Sequence, residues 1–221
     1  MRYYINPERR KKTINFTDHI VYSSVKDLEG NPLDLELSIM SMSGNSELKA
    51  AAADAKETDK VTAQPVIVWL SGGGYRGVDK NQMIAELEHL AEAGYAVVMV
   101  YYRSSAQGHW PDQLVDVKTA IRFLRAHAEQ YLLDPEHIGI MGRSAGGHIS
   151  AMAGMNLDGY DTEEWEGYSS RVQAVVDMFG PVNTYALLEH EKQNIVQDPD
   201  YRWKTLEETH GGALIGGDPE T

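Results

Sequence analysis

Apolar and polar residues follow two different rhythms along the chain. In "HIVYSSV" (19–25) and "LDLELSIM" (33–40) they alternate, and the turn-rich "KDLEGNP" lies between. That pattern predicts a β-hairpin with one face covered. From residue 66 the rhythm changes. "VIVWL" (66–70), "AVVMVYY" (96–102), "HIGIM" (137–141) and "VQAVVDMF" (172–179) are short apolar runs with little alternation. Such runs suit strands of a parallel sheet covered on both faces. Helical spacing separates them. Met83, Ile84, Leu87, Leu90 and Ala91 share one face of a helix over 80–93, with Asp79 and Gln82 as a capping box and Gly94 as its close. Leu114, Val117, Ile121 and Leu124 form a second stripe over 111–130, with Pro111 in the first turn. Strand and helix in alternation predict a doubly wound, mostly parallel α/β sheet preceded by the hairpin. Beyond Pro181 the chain turns polar and helical, with no further strong strand. Residues 43–64, "SGNSELKAAAADAKETDKVTAQ", have no apolar stripe and read as an exposed insertion loop within a single domain, 1–221.

Composition narrows the function. Thirty-three acidic against twenty basic residues give a formal charge of −13. An acidic surface repels phosphate backbones, which argues against nucleic acid. The chain has no cysteine, so disulfides, thiolate zinc sites and a cysteine nucleophile are all excluded. No run approaches the ~18 apolar residues of a membrane span. "MRYYINPERRKK" has no apolar run behind its basic residues, unlike a secretory signal. The expectation is a cytoplasmic protein with no membrane partner.

One stretch carries chemistry. "IGIMGRSAGG" (138–147) contains Gly142-Arg143-Ser144-Ala145-Gly146, a match to G-x-S-x-G, between an apolar strand and a small-residue helix. In that motif the serine sits on a sharp strand-to-helix turn with its hydroxyl above the sheet edge. The Ala145 N–H then lies at a helix N-terminus, which favours an anion. A tight βα turn with an incidental serine is the plainer alternative. "VIVWLSGGGYRG" places Gly72-Gly73-Gly74 just after the first parallel strand. Backbone N–H groups there, with that of Ala145, would hold the oxyanion of a tetrahedral intermediate. A glycine triplet alone is more often a flexible loop.

Three stretches together carry a resemblance: "VWLSGGGYRG", the run from "VYYRSSAQGHW" through "GIMGRSAGGH", and "VVDMFGPVN". They span most of 65–183. The chain resembles α/β-hydrolases of the hormone-sensitive-lipase-like and bacterial carboxylesterase (acetylesterase) branch, and is akin to arylformamidases. The resemblance implies that Ser144 is the nucleophile and that Gly73, Gly74 and Ala145 supply the oxyanion hole. It implies no metal and no organic cofactor. The family usually has histidine where this chain has Ser71, a histidine that orients the glycine loop. Arg103 and Asp116 resemble a pair that braces the loop before the second helix. His148 reads as a packed histidine, Arg143 as an elbow residue that is incidental or favours an anionic substrate. Tyr75, Trp110 and Phe179 are either pocket lining or core. The acidic "LDGYDTEEWEGY" (157–168) lacks calcium-loop spacing and reads as a solvated loop.

The fold's triad runs Ser, then Asp or Glu, then His. Here "GGALIGGDPET" resembles the family's lead-in to the acid-bearing strand, and the resemblance implies that two further strand–helix units, on the order of 60 residues, lie outside this sequence. The histidines after the serine are His148, His190 and His210, none following a strand in the required place. His190 or His210 as an improvised base is the lesser alternative. The favoured expectation is a fragment of a serine carboxylesterase that acts on small acyl or acetyl esters through an acyl-enzyme. A complementing C-terminal polypeptide, or self-association into a homo-oligomer, would cover the open end. The rivals are a catalytically incompetent or purely binding α/β-hydrolase and an arylformamidase-like amide hydrolase.

Overall fold

In the computed structural model, residues 14–42 and 63–217 are described. Six strands form one sheet: β1 (Asn15–Lys26), β2 (Pro32–Ser41), β3 (Gln64–Leu70), β4 (Ala96–Val100), β5 (Leu133–Arg143) and β6 (Ala174–Met178), in spatial order β1-β2-β4-β3-β5-β6. The hairpin strands run antiparallel to each other and to β4, whereas β4, β3, β5 and β6 are parallel. The hairpin turns on Asp27, whose carboxylate accepts the N–H groups of Glu29 and Asn31, with Gly30 at positive φ. Only β1 is covered on one face as predicted. β2 lies inside the sheet, so Ser38 and Met40 are buried as well as Leu37 and Ile39. Most of the 43–64 insertion lies outside the described residues; β3 begins at Gln64.

Five apolar residues of β4, all buried, mark the middle of the sheet. On one face pack α2 (Asp112–Ala126) and α4 (Ala145–Gly154); the Leu114, Val117, Ile121 and Leu124 stripe is buried there. The other face, with Trp69, Val97 and Met99, is covered by α1 (Ile84–Glu92) through Leu87 and Ala91. α1 starts four residues later than its spacing predicts. Asp79 turns its carboxylate onto the Asn81 N–H and its carbonyl onto Gln82, a local turn that competes with a cap. Gly94, at positive φ, closes the helix as expected by donating to Ala91 O. Pro111 immediately precedes α2 rather than lying in its first turn, and the short α3 (Ala128–Tyr131) follows the break at His127. Among the described residues no helix is long and apolar enough to cross a membrane.

β6 is the outer strand and pairs with β5 alone among the described residues. Val176 is 51% exposed, and beside it Ile67, Gly139 and Met141 line an open apolar groove of about 510 Å³. α1 does not reach this far along the sheet, so a stretch of core-like surface faces outward. After β6 come α5 (Thr184–Gln197), capped by the Asn183 side chain, and the short α6 (His210–Ile215). Glu191 of α5, 2% exposed, accepts the N–H groups of His210 and Gly211 and so anchors the start of α6.

Two cation arrangements hold loops to α2. Arg103 meets Asp116 through Nη2 (2.7 Å), Nε and its own backbone N–H, with Asp112 at 3.2 Å. Asp116 is 1% exposed. Asp116→Ala would remove the buried partner of Arg103 and leave it only the half-buried Asp112, so urea unfolding should show a loss of about 3 kcal/mol. An unchanged midpoint would mean the pair is dispensable. One turn apart on α2, Lys118, Arg122 and Arg125 donate to the carbonyls of Leu157, Thr162, Trp165, Ser169 and Arg171. The acidic 157–168 segment thus has exposed carboxylates but a pinned backbone.

Candidate active site

β3 and β5 are adjacent and parallel, with Leu70 opposite Gly142. The loops that leave their C-terminal ends must therefore lie side by side, which brings the glycine triplet to Ser144. Ser144 has φ 53° and ψ −119° between β5 and α4. A non-glycine residue in that region carries strain of about 1–3 kcal/mol. Neighbours hold it: Ser144 N–H donates to Met178 O of β6 (2.9 Å), and His148 N–H donates to Ser144 O (3.1 Å). The flanking glycines are needed for space. A Cβ on Gly142 would strike the Gly146 backbone, and one on Gly146 would strike the carbonyls of Leu70 and Ser71. The Ser144 side chain is half-buried, and among the described residues its Oγ forms no hydrogen bond.

The glycine loop crosses directly over this corner. A Cβ on Gly72 would lie 3.2 Å from Ser144 Cβ. Gly73 and Gly74 have φ 145° and 59°, and Tyr75 follows at 63°. Gly73 O accepts from Arg76 and Gly77, closing the loop into a turn. The amides of Gly73, Gly74 and Ala145 have no acceptor among the described residues. Ser71, where the family has histidine, is buried with an unpartnered Oγ, while its carbonyl accepts Tyr102 OH at 2.7 Å.

The three later histidines separate clearly. His148 packs between Tyr75 and Trp110, and its Nδ1 is 2.9 Å from Tyr75 OH. Burial pushes its pKa down, so the neutral ring dominates near pH 7. His210 lies against Gly74, where a Cβ would meet its ring, with the Trp203 ring edge-on at 4.6 Å. Burial and the charges of Arg202 and Arg76 lower its pKa against the pull of Glu191. His190 is exposed on α5 and bonds Asn194. None of their imidazole rings hydrogen-bonds Ser144 Oγ among the described residues.

A cleft of about 530 Å³ adjoins the corner, lined among others by Tyr75, Trp110, His148, Met155, Leu188 and Leu214. Tyr75 and Trp110 thus line a pocket. Phe179 does not: it is 70% exposed, 5.7 Å from the Arg143 guanidinium. Met155, Leu188 and Leu214 were not singled out by the sequence. Met155 follows the end of α4, Leu188 lies on α5 and Leu214 on α6, so only tertiary structure brings them together.

Known proteins resemble this chain in sequence and in fold. The probable carboxylic ester hydrolase LipM of Mycobacterium tuberculosis is 36% identical over 126 residues, 56% of this chain and 29% of LipM. Esterase LipC of the same organism is 37% identical over 119 residues, 52% of this chain and 30% of LipC. The matched region thus spans less than a third of these relatives. Among solved structures, a bifunctional GH43-CE protein of Bacteroides eggerthii superposes with TM-score 0.64 at 29% identity, over 92% of this chain and 26% of that one. The thermophilic esterase Est2 of Thermogutta terrifontis gives 0.55 at 28% identity, over 77% of this chain and 54% of its own. The BD-FAE family model matches residues 54–215, a range that holds the glycine loop, the serine corner and the cleft, and on that match the chain belongs to the BD-FAE family with an α/β-hydrolase fold.

Proposed function

We propose that the chain carries the nucleophile and oxyanion hole of a serine ester hydrolase. The observation behind this reading is the strained Ser144 corner beside three amides, Gly73, Gly74 and Ala145, that have no other acceptor among the described residues. LipM and LipC, both named as ester hydrolases, support the reaction class. In the proposed reaction Ser144 Oγ forms a bond to the ester carbonyl carbon, and the carbonyl electron pair moves to oxygen. The three amides bind that oxyanion in a water-poor site. Collapse expels the alcohol and leaves an acyl-serine, which water hydrolyses to the carboxylic acid. The Oγ proton must pass to a base and from it to the leaving alcohol. We place that base and its carboxylate partner outside the described residues, in a complementing C-terminal segment. Substrates in this reading are small acyl or acetyl esters, with the cleft seating the apolar part.

A second reading, a binding protein without catalysis, is favoured by one observation: Ser144 Oγ has no basic partner among the described residues. Gly74→Val separates the two. Valine is strained at φ 59°, and its Cβ would displace His210, so the amide moves away from the oxyanion position. Turnover of p-nitrophenyl acetate should fall about 10²-fold or more, the usual loss with one oxyanion donor. Unchanged turnover would make the loop a linker and favour the binding protein.

A further inference from the structure

The proposed oxyanion hole draws donors from two elements: Gly73 and Gly74 follow β3, and Ala145 opens α4. Something must fix one element against the other. Ser71 does not: its Oγ is buried without a partner and sends no hydrogen bond to the loop. The loop is also under strain, because three successive residues, Gly73, Gly74 and Tyr75, have positive φ, and Tyr75 carries a bulky side chain there. Such a conformation persists only where its surroundings over-determine it.

The surroundings of Tyr75 do so. Its side chain is 2% exposed and its carbonyl accepts Ser105 N–H at 2.7 Å. Its hydroxyl meets His148 Nδ1 at 2.9 Å, in the first turn after the serine, where the His148 N–H is already bonded to Ser144 O. Trp110 closes the other side of the imidazole with ring centroids 5.4 Å apart. One hydrogen bond therefore ties the loop that carries two donors to the helix turn that carries the third and the serine.

We infer that the Tyr75–His148 pair is a strut that sets the spacing of the oxyanion hole. Tyr75 and His148 are positioning residues, acting through the amides of Gly73, Gly74 and Ala145. This rests on the ester-hydrolase reading above. Because the strut acts on transition-state geometry and not on substrate capture, its loss falls on kcat.

The test uses the whole 221-residue chain and Tyr75→Phe, which removes only the hydroxyl. With p-nitrophenyl acetate, kcat should fall about tenfold and KM stay within twofold, with the thermal midpoint held. Added to Gly74→Val, the same change should cost less than it does alone, since both disturb one set of donors. Amide hydrogen exchange is the arm independent of turnover. Arg76, Gly77 and Ser105, whose N–H groups bond within or to the loop, should exchange faster in Tyr75→Phe while β3 and β4 amides keep their rates. Unchanged kcat together with unchanged exchange at these three amides would overturn the strut. If the wild-type chain hydrolyses no faster than buffer, the ester-hydrolase reading fails. Exchange then decides the strut alone, faster loop exchange supporting it and unchanged exchange overturning it.

Discussion

In a form of the protein that includes the triad acid and histidine, Ser144→Ala should lower ester turnover on the order of 10⁶-fold. The size follows from the chemistry. Without Oγ no acyl-enzyme forms, and only oxyanion stabilisation and substrate binding remain. The fold should be unaffected. Ser144 Oγ makes no hydrogen bond among the described residues, so its removal leaves no buried group unpaired. Alanine keeps the Cβ that lies against Gly72 and can occupy the same strained corner. Steady-state kinetics on p-nitrophenyl acetate, with thermal unfolding of both proteins, reads both effects. Retained turnover in Ser144→Ala would remove Ser144 as the nucleophile.

The 221-residue chain without any further segment should behave quite differently. Loss of the triad histidine costs about as much as loss of the serine, and the two losses do not add. No described side chain hydrogen-bonds Ser144 Oγ: His148 Nδ1 is engaged by Tyr75, His210 lies on Gly74, and the exposed His190 bonds Asn194. We expect a residual rate of roughly 10³–10⁴ over water, carried by the oxyanion amides. In this form Ser144→Ala should change little while Gly74→Val should still reduce the rate. The outer strand adds a physical consequence. Among the described residues β6 pairs on one side only, and Val175 and Val176 are 41% and 51% exposed beside the 510 Å³ groove. An unpaired apolar edge of this kind invites pairing with another copy. Sedimentation should show dimers or larger species, reduced by Val176→Lys. A monodisperse monomer with triad-level turnover would mean the chain has its own base. His210, the histidine against the oxyanion loop, should then be replaced first.

The parts of this account that were legible in the sequence are those fixed by local spacing. The serine corner is five residues long; Gly142 makes room for Gly146 within the motif itself, and Gly146 for the end of β3. The parallel strands were legible because burial on both faces leaves unbroken apolar runs, as in β4. Other features were set by distant neighbours. The inner burial of Ser38 and Met40 depends on β4 pairing, some sixty positions away in the register Leu37–Val100. The anchoring of 157–171 was half visible: Lys118, Arg122 and Arg125 share a helix face, but basic residues at that spacing are usually solvated. The cleft was legible only through Tyr75 and Trp110, and the contact of His210 with Gly74 not at all, because α5 and α6 carry no motif and reach the site only through tertiary packing.

The claim on which everything else depends is that Ser144 is the reactive nucleophile. The direct measurement is peptide mass analysis, after exposure to paraoxon, of the form that includes the triad acid and histidine, beside its Ser144→Ala variant. Attack by Oγ on phosphorus expels p-nitrophenolate and leaves a diethylphosphoryl group. The account predicts that mass on the peptide containing Ser144 and none on the variant. An adduct that is absent, lies on another residue, or persists in Ser144→Ala would contradict it.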